Sequence, residues 1–166
     1  MGTMAEPRDA LLQLPAAELL RHCRVDHRRG SGPGGQSRNT TESAVTVTHP
    51  ASGLHGYADD TRSQIRNREL ALRRLRRELA LGWRQPPPAC WDAPAEPPSP
   101  HAESYPLWLA RLLDVLAGHG WRLAEAAAFC GVSTGRLVRL LARDPALWQA
   151  LNRERARAGL PLLRRP

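Results

Sequence analysis

The sequence predicts an α+β domain followed by a separate, small all-α module with a helix-turn-helix-like pattern. Three observations support this fold class: a strand pair and a long amphipathic helix within residues 43–81, a proline-rich stretch over residues 85–106, and leucine-rich helical patterns after it. Prolines at this density exclude helix and favour an extended spacer, so the stretch is predicted to be a linker. The predicted boundaries are 10–84 for the first domain, 85–106 for the linker and 107–166 for the helical module.

The first domain is predicted to begin with a small sheet. A short helix over residues 15–23 and a strand over residues 24–27 come first. Residues 43–48 alternate between apolar and polar side chains, which indicates a half-buried strand with its valines on one face. A turn then leads to residues 54–58, which are predicted to return as the partner strand of a hairpin.

A long helix is predicted to cover this sheet. Residues 59–61 supply candidate N-caps, and residues 62–81 carry apolar side chains at helical spacing. The apolar positions are Ile65, Leu72, Leu75 and Leu79. A small sheet packed by one helix in this way gives an α+β domain.

A glycine-rich run, Gly30-Ser-Gly-Pro-Gly-Gly-Gln36, separates the first two predicted strands. Four glycines and a proline within seven positions exclude a helix or strand interior, so the run is predicted to be a loop. A phosphate-binding P-loop would require Gly-Lys-Ser/Thr, and a dinucleotide-binding fingerprint would require different glycine spacing. The run instead offers bare backbone and one amide side chain, flanked by Arg28, Arg29 and Arg38.

The loop and the residues after it form an ordered series of motifs. These are Ser31-Gly-Pro-Gly-Gly-Gln36, Asn39, Thr41-Glu-Ser-Ala-Val45, Thr48-His49, Ser52-Gly53, Arg62-Ser63-Gln64 and Asn67. The series resembles the catalytic domain of class I peptide chain release factors over roughly residues 20–82. The resemblance implies that Gly34, Gly35 and Gln36 are catalytic, entering the peptidyl transferase centre where peptidyl-tRNA is hydrolysed. The lysine usual in the family is replaced by Thr40, a change that leaves this tripeptide intact.

The resemblance implies the ribosome, through its rRNA, and peptidyl-tRNA as partners. Full-length class I factors also carry a codon-reading domain and a long N-terminal helical domain, for which 166 residues are too few. We therefore expect codon-independent hydrolysis of the peptidyl-tRNA ester on stalled ribosomes, by a monomer without metal or cofactor. The alternatives are a catalytically idle ribosome- or RNA-binding factor and, with less support, a DNA-binding regulator.

The charge of the chain favours a nucleic-acid partner. The formal net charge is +8 and the pI is near 11.0. The chain has 24 arginines and no lysine. Arginine binds phosphate in a bidentate manner, although a solvated basic surface would have the same composition. The predicted RNA-binding residues are Arg28, Arg29, Arg38, Arg62, Arg66, Arg73, Arg136 and Arg139.

Membrane, metal and disulfide chemistry are not predicted. No apolar stretch approaches the roughly 20 residues that span a bilayer, and no signal peptide pattern is present, so we expect a soluble cytoplasmic protein. The three cysteines are widely separated and odd in number, which argues against a zinc site or a disulfide framework.

The helical module is predicted to contain four helices, with a tight turn at residues 131–133 between the second and third. Small, glycine and apolar positions fit a helix-turn-helix, although a plain helical bundle is an equally good interpretation. These positions are Ala127, Gly131, Val132, Leu137 and Leu140. In the first interpretation, Arg136, Arg139 and Arg143 are exposed on the third helix.

Several polar residues have both a functional and a structural interpretation. Glu42 is an acidic residue close to the loop in sequence, and it is predicted to hydrogen-bond structural partners or to restrain the base of the loop rather than to act as a general base. His27 and His49 are also predicted to be structural, because neither lies in a spacing that implies a Ser-His-Asp arrangement. The run Arg62-Ser63-Gln64 and Asn67 are expected to combine contacts to rRNA with a capped helix start whose polar side chains face solvent.

Overall fold

The computed structural model describes residues 7–28, 43–94 and 96–166. The chain divides into two compact units, Met1–Trp83 and Arg84–Pro166. The first unit combines a small antiparallel sheet with a long helix, and the described part of the second is helical. This architecture confirms the predicted α+β fold class with a following helical module.

The first unit contains three helices and three strands among its described residues. They are α1 (Arg8–Gln13), α2 (Ala16–Arg21), β1 (Arg24–Arg28), β2 (Ala44–Thr48), β3 (His55–Ala58) and α3 (Gln64–Gly82). The strands form one antiparallel sheet in the order β1-β2-β3. Val47 of β2 lies opposite Val25 of β1 and Gly56 of β3, so β2 is the central strand.

The core of this unit lies between the sheet and α3. Both valines of β2 and Ala58 of β3 are fully buried, which confirms the apolar face predicted from the alternation. The helix presents its own apolar face to them, formed by Ala71, Leu72, Leu75, Leu79 and Ala80. Gly56 allows close contact, because an added Cβ would overlap the backbone of α3 at Ala71 and Leu75.

The predicted start of α3 is wrong in two respects. Ile65, expected to face inward, is 66% exposed, because the buried position of the first turn is taken by Asn67. The N-cap is Ser63 rather than a residue of the segment 59–61, since the Ser63 hydroxyl accepts the backbone N–H of Arg66 at 3.4 Å. Apolar periodicity alone therefore places the helix correctly and its first turn incorrectly.

Helix α1 lies partly before the predicted domain start at residue 10, and it contains a fully buried arginine. Arg8 donates to the backbone carbonyl of Trp83 at 2.6 Å and to the carboxylate of Asp9. A buried guanidinium is tolerated only when it is paired and hydrogen-bonded, which these contacts provide. Arg8 thereby ties the start of the unit to the end of α3.

The second unit contains four helices: α4 (Tyr105–Gly118), α5 (Leu123–Phe129), α6 (Thr134–Ala142) and α7 (Pro145–Arg157). The described part of the proline-rich segment packs along α4 within this unit. The indole N–H of Trp108 donates to the carbonyl of Pro94 at 3.2 Å, and Trp91 meets the same indole edge-on. At the other end of α4, a Cβ on Gly118 would lie 2.7 Å from Cγ of Pro87.

Two buried aspartates join the elements of the second unit. Asp114 on α4 accepts the backbone N–H of Gln85 at 3.0 Å and an N–H of Arg84 at 3.2 Å. Asp144 caps α7 through the backbone N–H of Ala146 at 3.0 Å and also accepts the hydroxyl of Tyr105 at 2.8 Å. Cap and interhelix contact are thus made by one carboxylate.

Candidate functional site

The candidate catalytic loop connects two paired strands. Arg28, the last residue of β1, lies opposite Ala44, the first residue of β2. Antiparallel partners have Cα atoms about 5 Å apart, so the chain leaves and re-enters the sheet at one place. Gly34, Gly35 and Gln36 lie within this connection and outside the described residues. The described part of the unit therefore fixes the two ends of the loop.

Asn67 holds the end of the loop connection that leads into β2. This side chain is fully buried, and its Nδ2 donates to the carbonyl oxygens of Ser43 and Thr61, both at 2.7 Å. Its Oδ1 accepts the backbone N–H of Thr61 at 2.9 Å and the Thr61 hydroxyl at 3.0 Å. Both donors and both acceptor sites of the amide are used, so its orientation is fixed by its partners.

The structure corrects the interpretation of the polar residues at the start of α3, Arg62-Ser63-Gln64 and Asn67. Ser63 caps α3 as expected of a helix start, and Arg62 and Gln64 are exposed. Asn67, expected among solvent-facing polar residues, instead lies in the core and joins α3 to the start of β2. Its spacing of four residues from buried Ala71 was the available signal, because these positions share one helix face.

Arg74 fastens the connection between β3 and α3. Its guanidinium donates to both carboxylate oxygens of Asp60, at 2.9 and 2.7 Å, and to the carbonyl of Tyr57 at 2.7 Å. The hydrogen bond from Arg74 lowers the pKa of the Asp60 carboxyl below its ordinary value. Arg76 is also structural, since it donates to the carbonyls of Leu12 and Leu14 at 2.8 and 2.6 Å.

Other arginines of this unit remain available to a partner. Arg28, Arg62, Arg66 and Arg73 are all exposed. Arg66 and Arg73 are seven residues apart on α3 and therefore share one face of the helix. Among the residues that the structure describes, the guanidinium groups of Arg62, Arg66 and Arg73 have no hydrogen-bond or ion-pair partner. Of the other predicted RNA-binding residues, Arg29 and Arg38 lie outside the described segments, and Arg136 and Arg139 are exposed in the second unit.

The candidate bases take different positions. Glu42 lies outside the described residues, and His27 is exposed on β1. His49 is buried at the β2–β3 turn, where its Nδ1 accepts the backbone N–H of Ser52 at 3.3 Å and lies 2.9 Å from the Ser52 hydroxyl. Burial, followed by the neighbouring charge of His22, lowers the pKa of His49. His49 therefore acts as a neutral acceptor that shapes the turn.

The described segments offer little other chemistry. No group of three or more His, Cys, Asp or Glu side chains in them could hold a metal ion. Burial raises the pKa of the Cys23 thiol and raises that of Cys130 to about 11, so both thiols stay protonated at neutral pH. None of the helices in these segments is both long and apolar enough to cross a bilayer.

Comparison with known proteins finds a family match and relatives for part of the chain. A family model described as the RF-1 domain matches residues 19–86. Peptide chain release factor 1 of Thermus thermophilus is 55% identical over 56 residues, which are 34% of this chain and 16% of that protein. Peptide chain release factor 1 of Thermobifida fusca is 45% identical over 75 residues, 42% of this chain and 21% of that protein.

A mitochondrial relative from Rattus norvegicus, named peptide chain release factor 1-like, is 48% identical over 79 residues, 48% of this chain and 20% of that protein. The chain thus spans about a fifth of the length of these curated relatives. The match to the family model covers the loop, the sheet and α3, and ends at residue 86 near the start of the second unit. Residues 19–86 therefore match the RF-1 domain, and over this part of its length the chain is similar to peptide chain release factors.

Proposed function

We propose that this protein hydrolyses the peptidyl-tRNA ester on stalled ribosomes without reading a stop codon. The observation that carries the proposal is the tripeptide Gly34-Gly35-Gln36 within an RF-1 domain whose loop ends are held by paired strands. We also propose that the protein is a monomer, that it works in the cytoplasm, and that its loop acts at the peptidyl transferase centre.

Ester hydrolysis needs a positioned water and a donor for the developing oxyanion. Glycines at positions 34 and 35 permit close approach and backbone angles that side chains would block. In this mechanism the backbone N–H of Gln36 donates to the oxyanion, and one such donor is typically worth about 3 kcal/mol. The Gln36 side chain orients water and excludes larger nucleophiles, while the tRNA ribose and rRNA supply the remaining groups.

Exposed arginines provide the attraction to rRNA in this proposal. Arg66 and Arg73 lie on one face of α3, and Arg28 lies at the strand end from which the loop departs. Arginine contacts to phosphate would hold the domain while the loop enters the reaction centre. Binding is therefore expected to weaken steeply with salt, whereas the chemical step is not.

The test is peptide release from ribosomes stalled on an mRNA without a stop codon. Gly35→Ala is expected to reduce release at least about a hundredfold, the loss typical of one oxyanion donor, while ribosome binding is retained. Gly53→Ala is the matched control, since Gly53 has φ of +70° but open space around it. Wild-type release by Gly35→Ala would refute the mechanism, and wild-type chain that binds without releasing peptide would favour the idle binding factor.

A further inference from the structure

Helices α5 and α6 form a compact helix-turn-helix. Gly131 in the turn has φ of +66°, a conformation that favours glycine. The backbone N–H of Val132 donates to the carbonyl of Ala127 at 3.0 Å, and the hydroxyl of Ser133 caps α6 at the N–H of Arg136. The inner side is closed by buried Ala126, Ala127, Cys130, Leu137, Leu140 and Leu141. The apolar face of α6 is thus fully used within the unit.

The outer face of α6 is basic. Arg136 and Arg139 lie on it, and Arg143 follows at its C-terminal end, all three exposed. The helix itself contains no acidic residue. Within the described residues the Arg139 guanidinium has no hydrogen-bond or ion-pair partner. Gly135 is exposed beside it, and an added Cβ there would meet only Nη1 of Arg139 at 3.7 Å, so the surface is open to close approach.

A carboxylate from the proline-rich segment already lies at this face. One oxygen of Glu96 is 3.7 Å from Nη2 of Arg136, and the other is 3.8 Å from Nη1 of Arg143. These distances exceed hydrogen-bond length, and the Glu96 side chain is 63% exposed, so the ion pairs are weak and replaceable. The second unit therefore already has a carboxylate, that of Glu96, between Arg136 and Arg143.

We propose that the α6 face, formed by Arg136, Arg139 and Arg143, binds the phosphate backbone of structured RNA, and that Glu96 competes for the same position. The major groove of a double-stranded RNA helix is too deep and narrow for side chains to read its bases, so the arginines of this helix face would contact phosphates. The choice of RNA over DNA rests on the proposed ribosomal function of the chain. The second unit would then be an additional RNA anchor, separate from the catalytic domain.

The test measures equilibrium binding of the full chain to a labelled RNA hairpin of about 20 base pairs, across a salt series. Changing Arg136, Arg139 and Arg143 together to Gln is expected to weaken binding about tenfold or more and to lower the salt slope by about two to three. The matched control changes Arg122, Arg153 and Arg157 to Gln. These three arginines are exposed in the same unit, and changing them to Gln removes the same charge as the changes on α6. Circular dichroism checks that both variants are folded.

A second pair of variants tests the competing carboxylate. Glu96→Gln is expected to tighten RNA binding about two- to fivefold, the range of an exposed ion pair. Glu125→Gln is its control, because Glu125 is exposed, changes the charge equally and pairs with Arg122 instead. Equal losses in the two arginine triples, or equal gains in the two glutamate variants, would overturn the site.

The same variants separate this proposal from the catalytic one. Tighter binding of the wild-type chain to a DNA duplex of equal length than to the hairpin would overturn the assignment to RNA. In the peptide-release assay on stalled ribosomes, the variant with Arg136, Arg139 and Arg143 changed to Gln (the α6 triple) is expected to reach half-maximal release at a higher protein concentration. At saturating protein it is expected to reach the wild-type rate. A wild-type chain without release activity, together with selective loss of RNA affinity in the α6 triple, would refute only the proposed hydrolysis.

Discussion

The buried amide of Asn67 provides a direct test of how the RF-1 domain holds its loop. Asn67→Asp keeps the size and shape of the side chain and replaces Nδ2 by an oxygen. The carbonyls of Ser43 and Thr61, each 2.7 Å from Nδ2, would then face an acceptor instead of a donor. Each buried group left unsatisfied costs about 1–3 kcal/mol, so the two together are expected to cost about 2–6 kcal/mol.

Thermal unfolding of the full chain measures this cost. For a unit of this size, 1 kcal/mol lowers the midpoint by about 4–8 °C, so a decrease of at least about 8 °C is expected. Burial raises the pKa of the introduced carboxyl, and protonation would return one donor. The deficit relative to wild type is therefore expected to narrow as the pH falls toward that raised pKa. A loss of packing alone would show no such dependence.

The control for Asn67→Asp is Gln64→Glu, the same amide-to-carboxylate change at an exposed position in the first turn of α3. A negative charge near a helix N-terminus is neutral or mildly favourable, so the midpoint should move little. An unchanged midpoint in Asn67→Asp would show that the amide clamp carries no energy. Reduced stability with the wild-type release rate on stalled ribosomes would show that the clamp does not position the loop.

Two further predictions concern the same unit. Gly56→Ala is expected to destabilise it by about 3 kcal/mol or more, because an added Cβ would overlap the backbone of α3 and lie 3.1 Å from the Ala71 carbonyl carbon. The comparison in denaturant unfolding is Gly53→Ala, which has open space but φ of +70°, so it is expected to lose only the about 1–2 kcal/mol of left-handed backbone strain. Stability is also expected to fall as the pH drops through about 6.5, since the lowered pKa of His49 disfavours its protonation in the folded state. His49→Asn keeps an acceptor without the titration, and an equal pH dependence in that variant would contradict the assignment.

The fold could be predicted because its signals are local. Alternation in β2 and the periodic leucines of α3 each arise from burial of one face, and the structure has both faces buried. The turn glycine at position 131 and the cap at position 133 are likewise local signals, and both are present in the second unit. Such features depend on residues that are neighbours in sequence, so a single amino-acid sequence is enough to predict them.

The contacts that hold the elements together could not be predicted in the same way. Asn67 reaches Ser43 across 24 residues, and Arg8 reaches Trp83 across 75. Glu96 approaches α6 from a segment predicted to be a spacer. Each is a polar side chain whose role is set by distant backbone or by a distant charge, and propensity scales treat all three as surface residues. The tertiary partner, not the local pattern, decides their role.

The arginines illustrate why composition predicts at most a class of partner and does not predict an interface. Arg8 and Arg155 are buried and bind backbone carbonyls, and Arg74 is held by Asp60. These side chains contribute to the net charge of +8 while their guanidinium groups are already occupied. Counterion release depends on charges that contact phosphate, not on the total. The salt dependence of binding should therefore reflect unpartnered groups such as Arg66 and Arg139, and be smaller than the 24 arginines would suggest.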